Sequence, residues 1–185
     1  MRITGGKARG IQLKAPKGDT TRPATDRMRE AIFSSLGSSI AGCRVADLFA
    51  GTGAYGLEAL SRGASKATFY EMDRQALACM KQNQQAVLKC CELPTSAVNT
   101  VARDLYARTA GGERAELIFI DPPYDDIEAN LQRIFAKADE LGSKDASVIL
   151  ELPGNLSPEI EGWQIVRRFG KPKRDTPNAA IFERS

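Results

Sequence analysis

The sequence predicts an α/β protein with a Rossmann-like, doubly wound sheet of seven mostly parallel strands. First, short apolar segments alternate with longer segments of helical periodicity along most of the chain. Second, residues 45–63 begin as an apolar strand, pass through Gly51-Thr52-Gly53 and continue into helix-forming residues. Third, the run AELIFID at residues 115–121 has the apolar character of a central parallel strand covered on both faces. Strands and helices that alternate in this way give right-handed crossovers.

Residues 1–24 are predicted to form a small, basic β-hairpin extension in front of a main domain of residues 25–185. Weakly alternating apolar residues and turn glycines indicate the hairpin. Six basic side chains and one acid give this extension a charge of +5, so the remaining chain carries +3 − 5 = −2. A second basic cluster lies near the C-terminus, at residues 167–174. This distribution favours a polyanionic partner, although a solvated charged face would give the same pattern.

The next element is a helix that follows Pro23, with Thr25 or Asp26 as its cap and Gly37 at its end. Its apolar stripe consists of Met28, Ile32, Phe33 and Leu36. Further helices are predicted at about residues 54–62, 74–89 and 126–141. Strands are predicted at residues 43–48, 66–71, 96–102, 115–121, 147–152, 163–169 and 179–183, the last two as an edge hairpin.

Composition excludes several classes of protein. The 185 residues contain no histidine, so a Ser-His or Cys-His pair, a histidine base and a histidine zinc site are all excluded. The four cysteines show no metal-binding spacing and are interpreted as reduced thiols of a cytosolic protein. No apolar window is long enough for a membrane span, so we expect a cytoplasmic protein without membrane contact. The lack of histidine and of metal-binding cysteine spacing leads us to expect no metal.

The glycine turn predicts a nucleotide-type pocket. Gly51, Gly53 and Gly56 match the dinucleotide pattern G-x-G-x-x-G, and Glu71 lies where an acid would bind ribose hydroxyls. A tight strand-to-helix turn without a ligand remains an alternative. Asp47 argues against a dinucleotide because a carboxylate at the strand end would repel a pyrophosphate. It would attract the ammonium of S-adenosylmethionine, which carries a ribose and no phosphate.

A second motif follows the strand of residues 115–121. Asp121-Pro122-Pro123-Tyr124 would project into the same crevice, because ligands of such sheets bind outside the carboxyl ends of the strands. A carboxylate and rigidly held proline carbonyls accept hydrogen bonds from an exocyclic amino group, and a tyrosine ring can stack on a base. An ordinary strand-end turn is the alternative interpretation.

These motifs together resemble a known family. DLFAGTGAYG and DPPY are similar to the S-adenosylmethionine-dependent amino-methyltransferases. RPATDRMREAIF, VADLFAGTGAYGLEALSRGA, Glu71 and DPPY, in this order, resemble the RsmD family, which methylates guanine N2 in 16S ribosomal RNA. The resemblance covers the chain from RITGGKARG to about Tyr124 and is weaker after Glu151. It implies a class I methyltransferase fold, S-adenosylmethionine as cofactor and 16S rRNA, or an assembling small ribosomal subunit, as partner. We expect a monomer.

The resemblance also assigns roles to residues. The methionine end of the cofactor would lie against Asp47 and a loop of five residues: Phe49, Ala50, Gly51, Thr52 and Gly53. Glu71 would take the ribose hydroxyls, with Met72 beside it, and Asp104 the adenine amino group, with Leu105 beside it. Asp121, Pro122, Pro123 and Tyr124 would hold an unpaired or flipped base and carry the catalysis. We expect the surrounding phosphates to bind the basic side chains of the extension and the next helix start: Arg2, Lys7, Arg9, Lys14, Arg22, Arg27 and Arg29.

Three other functions fit parts of the pattern. A nicotinamide-dependent oxidoreductase fits the glycine spacing but leaves DPPY unexplained. A non-catalytic RNA-binding or assembly module could retain the fold. An amino-methyltransferase of this type could also act on adenine N6 in DNA or in another RNA.

Overall fold

A computed structural model describes residues 1–16, 23–107, 112–123, 127–171, 173 and 176–185, and confirms the α/β class. The helices are α1 (Pro23–Leu36), α2 (Ala54–Ser61), α3 (Arg74–Cys91) and α4 (Ile127–Leu141). The strands are β1 (Arg44–Leu48), β2 (Lys66–Glu71), β3 (Val98–Ala102), β4 (Ala115–Ile120), β5 (Gly142–Pro153), β6 (Trp163–Phe169) and β7 (Pro177–Arg184).

The seven strands form one sheet in the order β3-β2-β1-β4-β5-β7-β6. The first five strands in this order are parallel to one another, and β7 runs antiparallel to both β5 and β6. Because strand side chains alternate between faces, each face of the sheet has its own apolar core. One core includes Phe33 of α1, Leu57 of α2 and Phe119 of β4. The other includes Phe135 of α4 and Leu150 of β5.

Several element boundaries differ from the sequence-based prediction, and three of them have a clear physical reason or context. Helix α1 begins at Pro23, which was predicted to precede the helix; the first helical position has no need of the missing N–H. Strand β5 begins at Gly142 rather than residue 147, and its pairing with β4 includes a register shift between Ala115 and Leu117. Strand β3 begins at Val98, after a 3₁₀ turn.

The N-terminal extension forms an antiparallel bridge between Arg2 and Gln12, and the Ile3 N–H donates to the Ile11 carbonyl at 2.9 Å. Ile3 and Leu13 are buried in the same core as Phe33 and Leu57, so the hairpin packs on the main sheet domain. Because residues 17–22 lie outside the described part of the chain, the division into domains at residue 24 stays a prediction.

Glu58 of α2 connects the extension, α1 and α2. Its carboxylate is fully buried and accepts hydrogen bonds from Thr4 N–H at 2.7 Å, Thr4 Oγ1 at 2.8 Å and Gly5 N–H at 2.8 Å. Two guanidinium groups also donate to it, Arg29 Nε at 3.4 Å and Arg62 Nε at 2.8 Å. Burial of the carboxylate is therefore compensated by paired donors and charges.

We predict that Glu58→Gln lowers the free energy of unfolding by about 3 kcal/mol, because it leaves the Arg29 guanidinium buried without this carboxylate. Urea unfolding followed by circular dichroism measures the change. The matched control is Glu113→Gln, which removes an exposed ion pair with Lys66 and should leave the midpoint nearly unchanged. Equal midpoints for the two variants would contradict this role of Glu58.

Candidate active site

A row of carboxyl groups lies at the carboxyl ends of the five parallel strands. One acid lies within each strand or follows it by one or two residues. They are Asp47 in β1, Glu71 in β2, Asp104 after β3, Asp121 after β4 and Glu151 in β5. This is the edge at which open α/β sheets bind ligands.

The strand register turns three of these acids toward the same helices. Asp47 is paired with Phe119, whose ring packs in the core beneath α1 and α2. Ile120 is paired with Leu150, so Asp121 and Glu151 follow side by side and share the face of Phe119. The structure thus brings the acids of β1, β4 and β5 together, as predicted for Asp47 and Asp121.

The loop between β1 and α2 has an unusual backbone. Phe49, Gly51 and Gly53 have φ angles of +58°, +52° and +79°. A non-glycine residue at positive φ, such as Phe49, indicates local strain of the kind found at ligand sites. The Gly51 N–H donates to Glu71 Oε2 at 2.7 Å, which joins the loop to the end of β2.

Gly51 and Gly56 have different structural roles. A Cβ atom at Gly56 would lie 2.4 Å from Phe69 Cε1, so this glycine permits close packing of α2 on β2. A Cβ atom at Gly51 would meet nothing closer than the Phe49 carbonyl oxygen, at 4.0 Å. The space above Gly51 is therefore open to a ligand, whereas the space above Gly56 is filled by protein.

Asp47 is buried at the base of this loop. Its Oδ2 accepts a hydrogen bond from the Gly56 N–H at 2.8 Å, and none of the described residues donates to Oδ1. Burial, together with the negative charge of Glu71, raises the pKa of Asp47 to about 7, although the Gly56 N–H opposes this shift. A ligand cation would complete the environment that the charged form lacks.

The remaining predicted cofactor residues surround the same loop. Glu71 Oε1 accepts the N–H groups of Met72 and Asp73, each at 2.7 Å, and Met72 itself is largely exposed. The Phe49 ring meets the Tyr106 ring edge-on, with 6.5 Å between the ring centroids, next to the exposed Asp104 and the buried Leu105. Thr52 and Ala50 are buried within the loop.

Asp121 opens onto the crevice. The Asp121 N–H extends the pairing with β1 through the Leu48 carbonyl at 3.5 Å, and none of the described residues donates a hydrogen bond to its carboxylate. Although more than a third of the residue is accessible, the surrounding protein, followed by the charges of Glu151 and Asp47, raises the pKa of Asp121 well above its ordinary value. Pro122 is buried and Pro123 exposed, and Tyr124 lies outside the described residues.

Glu151 and Tyr55 are further residues of the site that the sequence-based assignment omitted. The Tyr55 hydroxyl donates a hydrogen bond to Glu151 Oε1, and both side chains are buried. Burial raises the pKa of Glu151, although the Tyr55 hydroxyl and Arg29 oppose the shift. The signal in the sequence was an acid inside the apolar run VILEL, at the end of a predicted strand.

The predicted phosphate-binding residues divide into two groups. Arg2, Lys7, Arg9, Lys14 and Arg27 have exposed side chains. Arg29 differs from them, because its side chain is 2% exposed and binds Asp26 and Glu58. Arg22 lies outside the described residues.

The basic extension begins and ends beside the glycine loop. Thr52 Oγ1 donates to Met1 Sδ at 3.5 Å, and Asn83 Nδ2 donates to the carbonyls of Thr52 and Lys14, both at 3.0 Å. The hairpin therefore places exposed cations near the mouth of the crevice.

Two other types of site have no counterpart among the described residues. Within the described ranges, no cluster of three or more histidine, cysteine or acidic residues has the arrangement of a metal site. Among the helices of those ranges, none combines the length and apolar character required to cross a membrane.

Comparisons with known proteins agree with this architecture. The family model described as conserved hypothetical protein 95 matches residues 1–174. "Putative rRNA methyltransferase YlbH" of Bacillus subtilis (strain 168) is 39% identical over 174 residues, which cover 91% of each chain. "Ribosomal RNA small subunit methyltransferase D" of Escherichia coli (strain K12) is 41% identical over 127 residues, 67% of this chain and 60% of that protein.

A solved structure extends the similarity to the whole fold. "Putative methyltransferase yhhF from Escherichia coli" superimposes with a TM-score of 0.78 at 30% identity and covers 100% of this chain and 98% of that one. The family match includes both the glycine loop and the Asp-Pro-Pro turn, which the structure brings to one edge of the sheet. The chain therefore belongs to the RsmD family of S-adenosylmethionine-dependent methyltransferases.

Proposed function

We propose that this protein transfers a methyl group from S-adenosylmethionine to the exocyclic N2 amine of a guanine in 16S rRNA, free or within an assembling small subunit. The observation that carries the proposal is the carboxylate of Asp121, to which none of the described residues donates, at the sheet edge that also contains Asp47 and the glycine loop. The names of the Escherichia coli and Bacillus subtilis relatives support an rRNA substrate. We expect the protein to act in the cytoplasm as a monomer.

The crevice has the groups that S-adenosylmethionine requires. Asp47 would face the ammonium group, the open space above Gly51 would admit the ligand next to the backbone, and Glu71 would take the ribose hydroxyls. Glu71 already accepts three backbone N–H groups, but a carboxylate has about four acceptor positions, so one remains for a hydroxyl. Asp104, with Leu105 beside it, would meet the adenine.

The reaction needs orientation more than a strong base. The cofactor supplies an electrophilic methyl group on a sulfonium. Guanine N2 is a weak nucleophile because its lone pair is delocalised into the ring. Hydrogen bonds from the amine to Asp121 and the Pro122 carbonyl would turn its hydrogens and direct the lone pair toward the methyl group. Asp121 or water would take the proton of the amine as the methyl group is transferred from the bound cofactor, with the thioether as leaving group. Tyr124 would stack on the base.

The basic extension would bind the RNA backbone around the target. Arg2, Lys7, Arg9, Lys14 and Arg27 would contact phosphates, as would Arg22. A base within a helix cannot reach the crevice, so the target must be unpaired or flipped.

The methylated nucleoside identifies both the target base and the reaction. We expect 16S rRNA from cells that lack this protein to lose one N2-methylguanosine, and the wild-type gene to restore it. Asp121→Asn should fail to restore it and should lower the transfer rate of the purified protein at least about 100-fold, because an amide donor would replace an acceptor of the amine. Nucleoside mass spectrometry measures the product. A missing N6-methyladenosine, label transferred to DNA instead, or no missing nucleoside would each contradict the proposal.

Ligand contact at the glycine loop can be tested at Gly51. Gly51→Ala should raise the Kd for S-adenosylmethionine at least about tenfold, because the methyl group occupies space that the ligand needs. Gly42→Ala is the matched control: Gly42 also has a positive φ, +80°, and open space around it. Both variants should lose about 1 kcal/mol of stability through backbone strain. Isothermal titration calorimetry distinguishes them, and equal Kd values would exclude ligand contact at Gly51.

The affinity for S-adenosylmethionine should depend on pH through Asp47. The pKa of about 7 at Asp47 means that the carboxylate takes up a proton as the pH falls from 7 to 6, while the ligand ammonium stays charged. The Kd for S-adenosylmethionine should therefore rise about fivefold over this unit. Asp47→Asn should bind more weakly at pH 7 and lose most of the pH dependence. An unchanged slope in that variant would assign the titration to another group.

A further inference from the structure

Glu151 occupies a defined place next to Asp121. The pairing of Ile120 with Leu150 sets the two acids side by side at the ends of adjacent parallel strands. Neighbouring strands in a sheet are about 4.8 Å apart, so their carboxyl groups can contact one small ligand at the same time. Asp121 is exposed at the end of its strand, whereas the neighbouring Glu151 is only 5% exposed.

Aromatic packing holds Glu151 in a fixed orientation. The Tyr55 hydroxyl donates to Glu151 Oε1, and the Tyr55 ring stacks on Phe119 at 5.2 Å and on Phe33 at 6.2 Å. None of the described residues donates to the second oxygen, Oε2. Because no buried side-chain oxygen in the described part of the chain lacks a partner, Oε2 must reach accessible space. A clamped side chain thus presents one free acceptor beside Asp121.

We propose that Glu151, held by Tyr55, accepts a hydrogen bond from N1–H of the target guanine while Asp121 binds the exocyclic amine. This inference rests on the proposed function and adds the group that selects the base. Tyr55 acts as a positioning residue, since its hydroxyl is occupied by Glu151.

The chemistry of the base edges explains the selection. Guanine presents two adjacent donors, N1–H and the N2 amine, and two neighbouring carboxyl groups supply acceptors for both. Adenine and cytosine each present an amine beside a ring nitrogen that accepts. Either base would set that ring nitrogen against the Glu151 oxygen, acceptor against acceptor, in a desolvated position. Sites that hydrogen-bond a substrate donor discriminate strongly against analogues that lack it.

The test uses 2-aminopurine, which keeps the 2-amino group but has an accepting N1. The substrate is 16S rRNA with guanine or 2-aminopurine at the modified position, presented free and in reconstituted small subunits. Wild type should prefer guanine at least about 100-fold in kcat/KM. Glu151→Gln should lower the guanine value at least about tenfold and should reduce or invert this preference, because its amide can donate to N1 of 2-aminopurine. Tyr55→Phe should weaken the preference to a smaller extent.

Controls separate this inference from the function on which it rests. Binding of S-adenosylmethionine and the thermal midpoint should be unchanged in Glu151→Gln, and Glu159→Gln, an exposed carboxylate after β5, should behave as wild type. Two results would overturn the role of Glu151 while the proposed function stands. The first is that wild type methylates guanine and 2-aminopurine with equal kcat/KM, and the second is that Glu151→Gln lowers kcat/KM for both substrates by the same factor. If wild type methylates no guanine N2 in either form of the substrate, both proposals fail.

Discussion

The buried carboxylate of Glu58 holds the N-terminal extension, α1 and α2 together. It accepts hydrogen bonds from the extension, from Arg29 of α1 and from Arg62, all within 3.4 Å. Helix α2, which contains Glu58, begins directly after the glycine loop. The same carboxylate that accepts the hydrogen bonds of the hairpin therefore also fixes the helix that follows the cofactor loop. A carboxylate buried without these donors would be strongly destabilising.

Arg29 also acts electrostatically on the acids of the candidate site. Its positive charge opposes the rise in the pKa of Asp47, Asp121 and Glu151, which burial causes in all three groups. A row of acids at one sheet edge would otherwise repel itself. A buried cation behind the row permits the acids to stand close together and still present free oxygens to a ligand. We infer that Arg29 contributes to the site through charge, although it reaches neither cofactor nor base.

Local patterns in the sequence were sufficient for most of the sheet. The bounds of β2 and β6 agree with the prediction to the residue, because each is a short run of strand-forming residues between turns. The start of β5 was missed because Gly142 and Asp145 favour turns, and only pairing with β4 makes them a strand. Such pairing depends on tertiary contacts that no local window contains.

The site residues likewise divide into those that a local pattern reveals and those that only tertiary contacts reveal. The glycine loop and the Asp-Pro-Pro turn could be found because each motif is contiguous. Glu151 belongs to the site only through its register with β4, which the sequence does not state. Arg29 carried a signal that was overlooked: it precedes Ile32 and Phe33 by one helical turn and so lies on the buried stripe of α1.

The distribution of charge explains how one small domain can bind a polyanion and still admit a base. The crevice contains acids at the ends of five parallel strands, so its potential disfavours phosphate and favours the cationic cofactor of this family. The exposed cations lie outside, on the hairpin whose ends contact the glycine loop through Thr52 and Asn83. In the proposed function, the RNA backbone is attracted to the rim and repelled from the interior. Only an uncharged part of the nucleotide, the base, can then enter, and its donor edge meets the acceptors of Asp121 and Glu151.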